Sequence, residues 1–267
     1  MQPMLNIAIR AAHHAGDFIV RKINKVPDLQ IDVKAKNDYV TDVDRQAEVH
    51  IIEDLLKAFP KHGILAEESG EIKGEEDFKW IIDPLDGTTN FLHGFPHYAV
   101  SIACQHQGKL MHGVIYDPFK QELFAASRGD GATLNNRRIR VTKLRTTESA
   151  LLGTGFPFKN PDQLDEFIKL FSAFFNSASD IRRAGSAALD LAYVAAGRLD
   201  GFWESGLQSW DLAAGALIVR EAGGLVTDFS GDEHYLEKGQ VVAGNPKIIA
   251  DMLHKIQRQL GPQNRKA

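Results

Sequence analysis

The chain predicts a mixed α/β protein in which sheets are covered by helices. Three observations carry this: an amphipathic helical start, a β-rich middle, and a second half in which helical and strand patterns alternate. Leu5, Ile9, Ala12, Phe18, Ile19 and Ile23 fall roughly on one face, which predicts a helix over Met4–Lys25. A second helix is expected over Asp42–Phe59. Strands follow at Gly63–Ala66, Lys79–Asp83, His97–His106, Leu110–Tyr116 and Glu122–Ser127, with turn residues between them. Beyond these, helices are expected at Asp162–Asn176, Ser186–Ala196, Asp211–Ala222 and Lys247–Leu260. Strands at Ala150–Gly153, Gly201–Trp203, Leu225–Asp228 and Gln240–Ala243 separate them.

Composition sets bounds. With 267 residues, 43% hydrophobic and 25% charged, the chain can bury a substantial core, and a single unit over residues 1–267 is expected. A net charge of −4 gives no global attraction to nucleic acid or to an anionic membrane, so recognition of a phosphate has to be local. One cysteine, Cys104 in the apolar run AVSIAC, permits no intramolecular disulfide and fits a small buried residue in a reducing cytoplasm. The N-terminus lacks a continuous apolar signal region, and no run approaches the roughly 18 apolar residues of a membrane span. A soluble protein without membrane contact is expected.

The densest chemical signal is WIIDPLDGTTN, Trp80–Asn90. Its apolar start fits a buried strand, and Pro84 is expected to stop the ladder by removing a backbone donor, so that Asp83 sits at a strand end. Asp86 follows on a turn. Gly87 can aim successive amides at one point, and Thr88 and Thr89 add hydroxyls. Hard cations such as Mg²⁺ take carboxylate and carbonyl oxygens and share their remaining positions with water and substrate phosphate. Asp, Pro and Gly are also common turn residues, so the string alone allows a plain loop. Two further acid clusters shift the balance. In ILAEESG a short apolar strand runs into Glu67 and Glu68, and in SWDLAAGALIVREAGG Asp211 opens a helix that ends at Gly-Gly. As bare structure, Glu67 is a solvated loop acid and Asp211 an N-cap. Three clusters together match the need of a two-metal phosphoryl-transfer site for several converging acids.

The strings AEES, WIIDPLDGTTNF and WDLAAGALIVREAGG resemble the three motifs of the inositol monophosphatase family, Mg²⁺-dependent, lithium-sensitive phosphomonoesterases. The likeness runs from the amphipathic start through DYVTDVDRQAE and GSAALDLAYVAAGRLDGFWE to VVAGNP, and is greatest to bacterial members. It implies the layered α-β-α-β-α sandwich of the sugar phosphatases, often a homodimer, with two to three Mg²⁺ ions per site. Glu67, Asp83 and the Leu85 carbonyl match the ligands of a first ion, and Asp83, Asp86 and Asp211 those of a second, with a third, weaker ion beside Glu67. Glu67 and Thr88 match the groups that activate water, and Asp44 the partner of that threonine; Asp44 also reads simply as a first-turn residue of the second helix. Amides around Leu85, Asp86, Gly87 and Thr88 would hold phosphate. Gly185, Ser186 and Ala187 match positions lining the polyol site, and Glu204 an acid that accepts from ring hydroxyls. Read without the resemblance, Ser186 is a helix N-cap. Arg182 matches a substrate contact or equally a surface arginine, and Lys36 a lysine covering the metal site or a solvated loop residue.

The basic stretch NNRRIRVTKLR, Asn135–Arg145, alternates Ile139 and Val141 with Arg138 and Arg140 and reads as a charged edge strand rather than a nucleic-acid surface. The histidines show no spacing that suits zinc. Two functions follow from the resemblance. One is hydrolysis of myo-inositol monophosphate or a similar polyol phosphate, with adenosine bisphosphate, fructose bisphosphate, histidinol phosphate and NADP as other substrates. The alternative is an accessory role in transcription antitermination during ribosomal RNA synthesis, through Nus factors or RNA polymerase, with catalysis dispensable.

Overall fold

The first helix, α1 (Pro3–Lys22), lays Leu5, Ala8, Ala11, Ala12, Ala15 and Ile19 against a sheet. These small residues allow a close approach, and at Gly16 a Cβ would lie 2.6 Å from the Tyr116 ring. This is a computed structural model, and it describes residues 3–23, 31–35, 38–158 and 160–261. The second helix, α2 (Asp42–Ala58), starts at a capping box in which the Thr41 hydroxyl accepts from the amides of Val43 and Asp44 while Asp44 accepts from the Thr41 amide. Val43, Ala47, Ile51 and Leu55 form its buried stripe. Between the two helices, β1 (Ile31–Ala35) and β2 (Asp38–Thr41) form an antiparallel pair that the hydrophobic pattern did not announce.

Eight strands form the larger sheet: β3 (Gly63–Ala66), β4 (Gly70–Ile72), β5 (Phe78–Asp86), β6 (Ala99–His106), β7 (Lys109–Asp117), β8 (Glu122–Ser127), β9 (Gly131–Leu134) and β10 (Arg137–Arg138). Their order is β10-β9-β8-β7-β6-β5-β3-β4, antiparallel except for the β3–β5 pair. The basic stretch contributes only the two-residue edge strand β10. Beyond it the Ile139 amide still donates to the Ala132 carbonyl of β9, the Val141 amide turns to the Ala222 carbonyl, and both side chains pack partly buried against the core. The expectation at Pro84 is also corrected. The strand continues through Pro84 to Asp86, with the register shifting between Asp83 and Asp86, so the missing proline donor falls in a bulge and pairing resumes at Asp86 opposite Ala99.

The smaller sheet has the order β12-β11-β13-β15-β14, from β11 (Leu151–Thr154), β12 (Asp180–Arg182), β13 (Gly201–Ser205), β14 (Leu225–Thr227) and β15 (Gln240–Gly244). The remaining helices are α3 (Thr88–Leu92), α4 (Leu164–Phe175), α5 (Ala187–Ala195), α6 (Ser209–Glu221), α7 (Tyr235–Lys238) and α8 (Pro246–Leu260). Three apolar clusters define the layers. One joins α1 and α2 to the large sheet, the next places α5 and α6 between the two sheets, and the third joins α4 and α8 to the outer face of the small sheet. The order is the α-β-α-β-α sandwich. The buried residues of α5 and α6 are mostly Ala, Leu, Val and Ile, as a layer covered on both sides requires. Cys104 is buried, and burial pushes its thiol up to about 12.

Candidate functional site

The parallel pairing of β3 with β5 brings the first acids together. Ala66 lies opposite Ile82, and the Glu67 amide donates to the Ile82 carbonyl at 3.2 Å, so Glu67 and Asp83 leave the same edge of the sheet side by side. Outlets at the carboxyl ends of parallel strands are where α/β sheets place their ligands. The bulge after Asp83 turns Leu85 and Asp86 toward the same edge, and the Leu85 amide donates to Asp83 Oδ1 at 2.9 Å. Asp211 arrives from the other layer as the third residue of α6, whose N-cap is Gln208 and not the aspartate itself; the Gln208 amide donates to Asp211 Oδ2 at 2.6 Å. Carboxylate oxygens of Asp83, Asp86 and Asp211 all lie within 4.8 Å of one another. Burial, and then the charges of Glu67, Asp86 and Asp211, raise the Asp83 carboxyl well above the ordinary carboxylate range. Such a crowd of hard oxygen donors is stable as carboxylates only beside cations, so the residues fit Mg²⁺.

Beside the acids, the Thr88 hydroxyl lies 2.9 Å from Asp44 Oδ1 and 3.1 Å from the Leu85 carbonyl. Asp44 is buried and meets the Thr41 hydroxyl at 2.5 Å through its other oxygen. Burial raises its carboxyl, and the bonds from Thr41 and Thr88 oppose the rise. Both readings of Asp44 therefore hold: it is a first-turn capping residue, and it meets the threonine. Gly87 precedes α3 at φ +97°, where a Cβ would lie 3.0 Å from the His97 carbonyl, so glycine is required there. Asp86 Oδ2 accepts from the Ser186 hydroxyl at 2.6 Å and from the Ala188 amide at 2.7 Å. Ser186 is also the N-cap of α5, accepting from the Leu189 amide. Asn90 Nδ2 donates to the carbonyls of His97 and Ala184 at 2.7 and 2.9 Å, clamping the segment before α5 against the α3 turn.

Opposite the acids stands Glu204, near the end of β13. Thr154 pairs with Trp203 in the parallel β11–β13 ladder, so Gly155 falls next to Glu204, and a Cβ at Gly155 would collide with the Glu204 carboxylate. Burial, then the charge of Asp211, pushes the Glu204 carboxyl up to about 8, while Arg183 acts against the rise. The Arg183 guanidinium lies 5.2 and 5.3 Å from the rings of Phe156 and Phe158, which meet edge to face. Behind Glu204, Asp190 of α5 is buried, and its carboxyl is raised well above the usual range by burial and by Glu204.

Together these groups line a cavity of about 590 Å³, a size suited to a small ligand. Glu67, Asp83, Leu85, Asp86, Gly87, Thr88, Gly185, Ser186, Ala187, Glu204 and Asp211 all face it. Asp44 sits behind Thr88. Arg182 requires correction: its guanidinium pairs with Asp180 at 2.5 Å on exposed β12, while Arg183 lines the cavity. Neighbouring residues of an extended chain point to opposite sides, and a lone pair of arginines does not say which one points inward. Lys36 lies outside the described residues. Sequence reasoning also missed Asn90, Gly155, Arg183 and the two phenylalanines. Asn90, which closes the DGTTN string, had a usable signal.

The five-layered sandwich thus places an acid cluster at the outlet of a parallel strand pair, facing the cavity. The family model described as the inositol monophosphatase family matches residues 1–261, and the chain belongs to that family. A Pseudomonas aeruginosa protein described as Nus factor SuhB is 55% identical over 267 residues, spanning 98% of each chain. The crystal structure of extragenic suppressor protein SuhB from Bartonella henselae has a TM-score of 0.95 at 47% identity, covering 97% of this chain and 100% of that one. An inositol monophosphatase from Anabaena gives a TM-score of 0.84 at 36% identity, with 97% of both chains covered. Among the described residues, no helix is long and apolar enough to cross a membrane.

Proposed function

We propose that the chain is a Mg²⁺-dependent phosphomonoesterase that hydrolyses myo-inositol monophosphate or a similar polyol phosphate to the free alcohol and phosphate. The observation that carries this reading is the convergence of Asp83, Asp86 and Asp211 within 4.8 Å, beside the Thr88–Asp44 pair. Two to three Mg²⁺ ions, held by Glu67, Asp83, the Leu85 carbonyl, Asp86 and Asp211, would neutralise phosphate charge, steady the leaving alkoxide and acidify the attacking water.

The chain's own groups do the rest. Thr88 Oγ1 donates to Asp44, so as Glu67 orients the water, Thr88 can take a proton from it while passing its own to the Asp44 carboxylate. A carboxyl raised by burial, as in Asp44, is a stronger base than an ordinary aspartate. Amides around Gly87 and Thr88 hold the phosphoryl oxygens. As the water oxygen bonds to phosphorus in line, the phosphorus–ester oxygen bond breaks, the ester oxygen takes up a proton from solvent, and the alcohol leaves toward Glu204, which accepts hydrogen bonds from its other hydroxyls. Arg183 takes the contact that the sequence had suggested for Arg182, holding Glu204 and the leaving group between charge and aromatic faces. The same reading carries a homodimer and a cytoplasmic location, the first open to light scattering.

The test is turnover by Asp83→Asn. Near-complete loss at saturating Mg²⁺, with an unchanged circular dichroism spectrum, is expected; turnover close to wild type contradicts the assignment.

A second reading is favoured by the description of the Pseudomonas aeruginosa relative as a Nus factor. In it the chain contacts transcription antitermination factors or RNA polymerase, and catalysis is dispensable. A pull-down with these proteins, comparing wild type with Asp83→Asn, tests it: equal capture by both is expected, and capture by neither removes the reading.

A further inference from the structure

One turn beyond Asp44, α2 carries a second acid with no part in the chemistry above. Glu48 is 3% exposed, and its two oxygens accept from the amides of Glu68 and Ser69, each at 2.8 Å. The turn it grips is the one that follows Glu67. On the other side of Glu67, the residue's own amide is tied to the Ile82 carbonyl of the strand ladder. The main chain is therefore held immediately before and immediately after the Glu67 side chain. The same helix, through Asp44, holds Thr88. Asp44 and Glu48 stand four residues apart on one face, so α2 sets the spacing between the two groups assigned to the attacking water.

We propose that Glu48 is a positioning residue for cation binding, fixing the turn after β3 so that Glu67 presents its carboxylate at the acid cluster. The proposal rests on the Mg²⁺-dependent reading above. A carboxylate has no proton of its own, so both oxygens are free to accept, and charged acceptors make the stronger bonds to amides. Glutamine at this position keeps the shape but sets an NH₂ group against one of the two amide donors. Groups that orient a metal ligand from behind typically change metal affinity by about 10- to 100-fold when removed.

The structure holds a matched control. Glu221, at the end of α6 and outside the cavity lining, grips a turn in the same manner, accepting from the amides of Gly129 and Gly131 at 2.8 and 2.7 Å. Glu221→Gln therefore reports what the loss of such a grip does to the fold in general.

The experiment is calorimetric titration of Mg²⁺ into cation-stripped wild type, Glu48→Gln, Glu48→Asp and Glu221→Gln, with amide hydrogen exchange on each. For Glu48→Gln, a loss of about tenfold in Mg²⁺ affinity is expected, with faster exchange at the amides of Glu68 and Ser69. The Mg²⁺ concentration for half-maximal phosphatase activity should rise by the same factor while kcat at saturating Mg²⁺ stays within about threefold, a split that general loosening does not produce. Glu48→Asp keeps the charge with a shorter reach and should fall between, which preserves the test should the glutamine variant not fold. Glu221→Gln should speed exchange at Gly129 and Gly131 alone. An unchanged Mg²⁺ isotherm in both Glu48 variants, or an equal loss in Glu221→Gln, overturns the proposal and leaves the phosphatase reading standing. A wild-type protein that takes up no Mg²⁺ overturns that reading, and the proposal with it.

Discussion

Asp83→Asn removes one charge from the acid cluster with almost no change of shape, since an amide oxygen can still accept the 2.9 Å bond from the Leu85 amide. The structure sets the size of the effect on stability. Unit charges 4.8 Å apart, the separation within which the carboxylate oxygens of Asp83, Asp86 and Asp211 lie, repel by about 3.5 kcal/mol at an effective dielectric of 20 and about 0.9 kcal/mol in water. Asp83 is 1% exposed, but Asp86 and Asp211 are only partly buried, and an acid under such pressure takes up a proton instead of bearing the full repulsion. The cation-free variant should therefore gain roughly 1–3 kcal/mol over wild type at neutral pH, at about 2–4 °C in Tm for each kcal/mol. The sign with pH follows from the raised carboxyl. Its contribution to stability is fully present below the unfolded value, near 3.9, and is lost as pH climbs through the folded one. The two proteins should thus melt together near pH 4 and separate as pH rises. Mg²⁺ should reverse the order, because a cation at about a thousand times its Kd adds about 4.1 kcal/mol to the protein that binds it. Calorimetric melting of both proteins in EDTA and in Mg²⁺ between about pH 4 and 8 decides the matter. A variant less stable than wild type in EDTA at pH 8, or one stabilised by Mg²⁺ as much as wild type, refutes the reasoning.

Three other outcomes are expected. Glu204→Gln should lower kcat/KM for inositol monophosphate by roughly one to two orders of magnitude, the worth of about 1.5–3 kcal/mol for hydrogen bonds to a carboxylate that cations beside Asp211 return to its charged form, while sparing a plain aryl phosphate; equal losses on both substrates would move Glu204 into the catalytic framework. Asp190→Asn should raise Tm at pH 8 and have little effect near pH 4. The buried Asp190 carboxyl is held well above the usual range, and its Oδ1 lacks a hydrogen-bond partner among the described residues, so wild type loses stability as pH rises; a Tm gain of the same size at both pH values would count against this. Activity should fall with rising LiCl but not with equal NaCl or KCl, and an identical response to all three salts would argue against the family-type cation site.

Each strand and helix with a clear period was readable from residues alone, because apolar runs such as WII and AVSIAC have few other uses than a buried strand. The short elements were not. The strands β4, β9 and β12 have at most four residues and mixed polarity, and they exist because longer neighbours offer them an edge. The acids of the cluster stood out because two carboxylate-bearing strings ended apolar strands and a third opened an apolar helix, and the family resemblance paired them. What sequence could not supply was direction. Whether Arg182 or Arg183 turns inward depends on the course of the chain after β12, and the grip of Glu48 on Glu68 and Ser69 spans twenty residues of sequence. Gly155 is informative only once the parallel register sets it opposite Glu204.

The most direct measurement of the central claim is phosphate release from a panel of small phosphomonoesters, inositol monophosphate among them, by the cation-stripped protein with and without added Mg²⁺. Saturable turnover of a hydroxylated-ring phosphate that appears with Mg²⁺ and disappears with EDTA is the predicted result. Equal release in the two conditions, or none on any substrate while the protein remains folded and Mg²⁺ is bound, would contradict it.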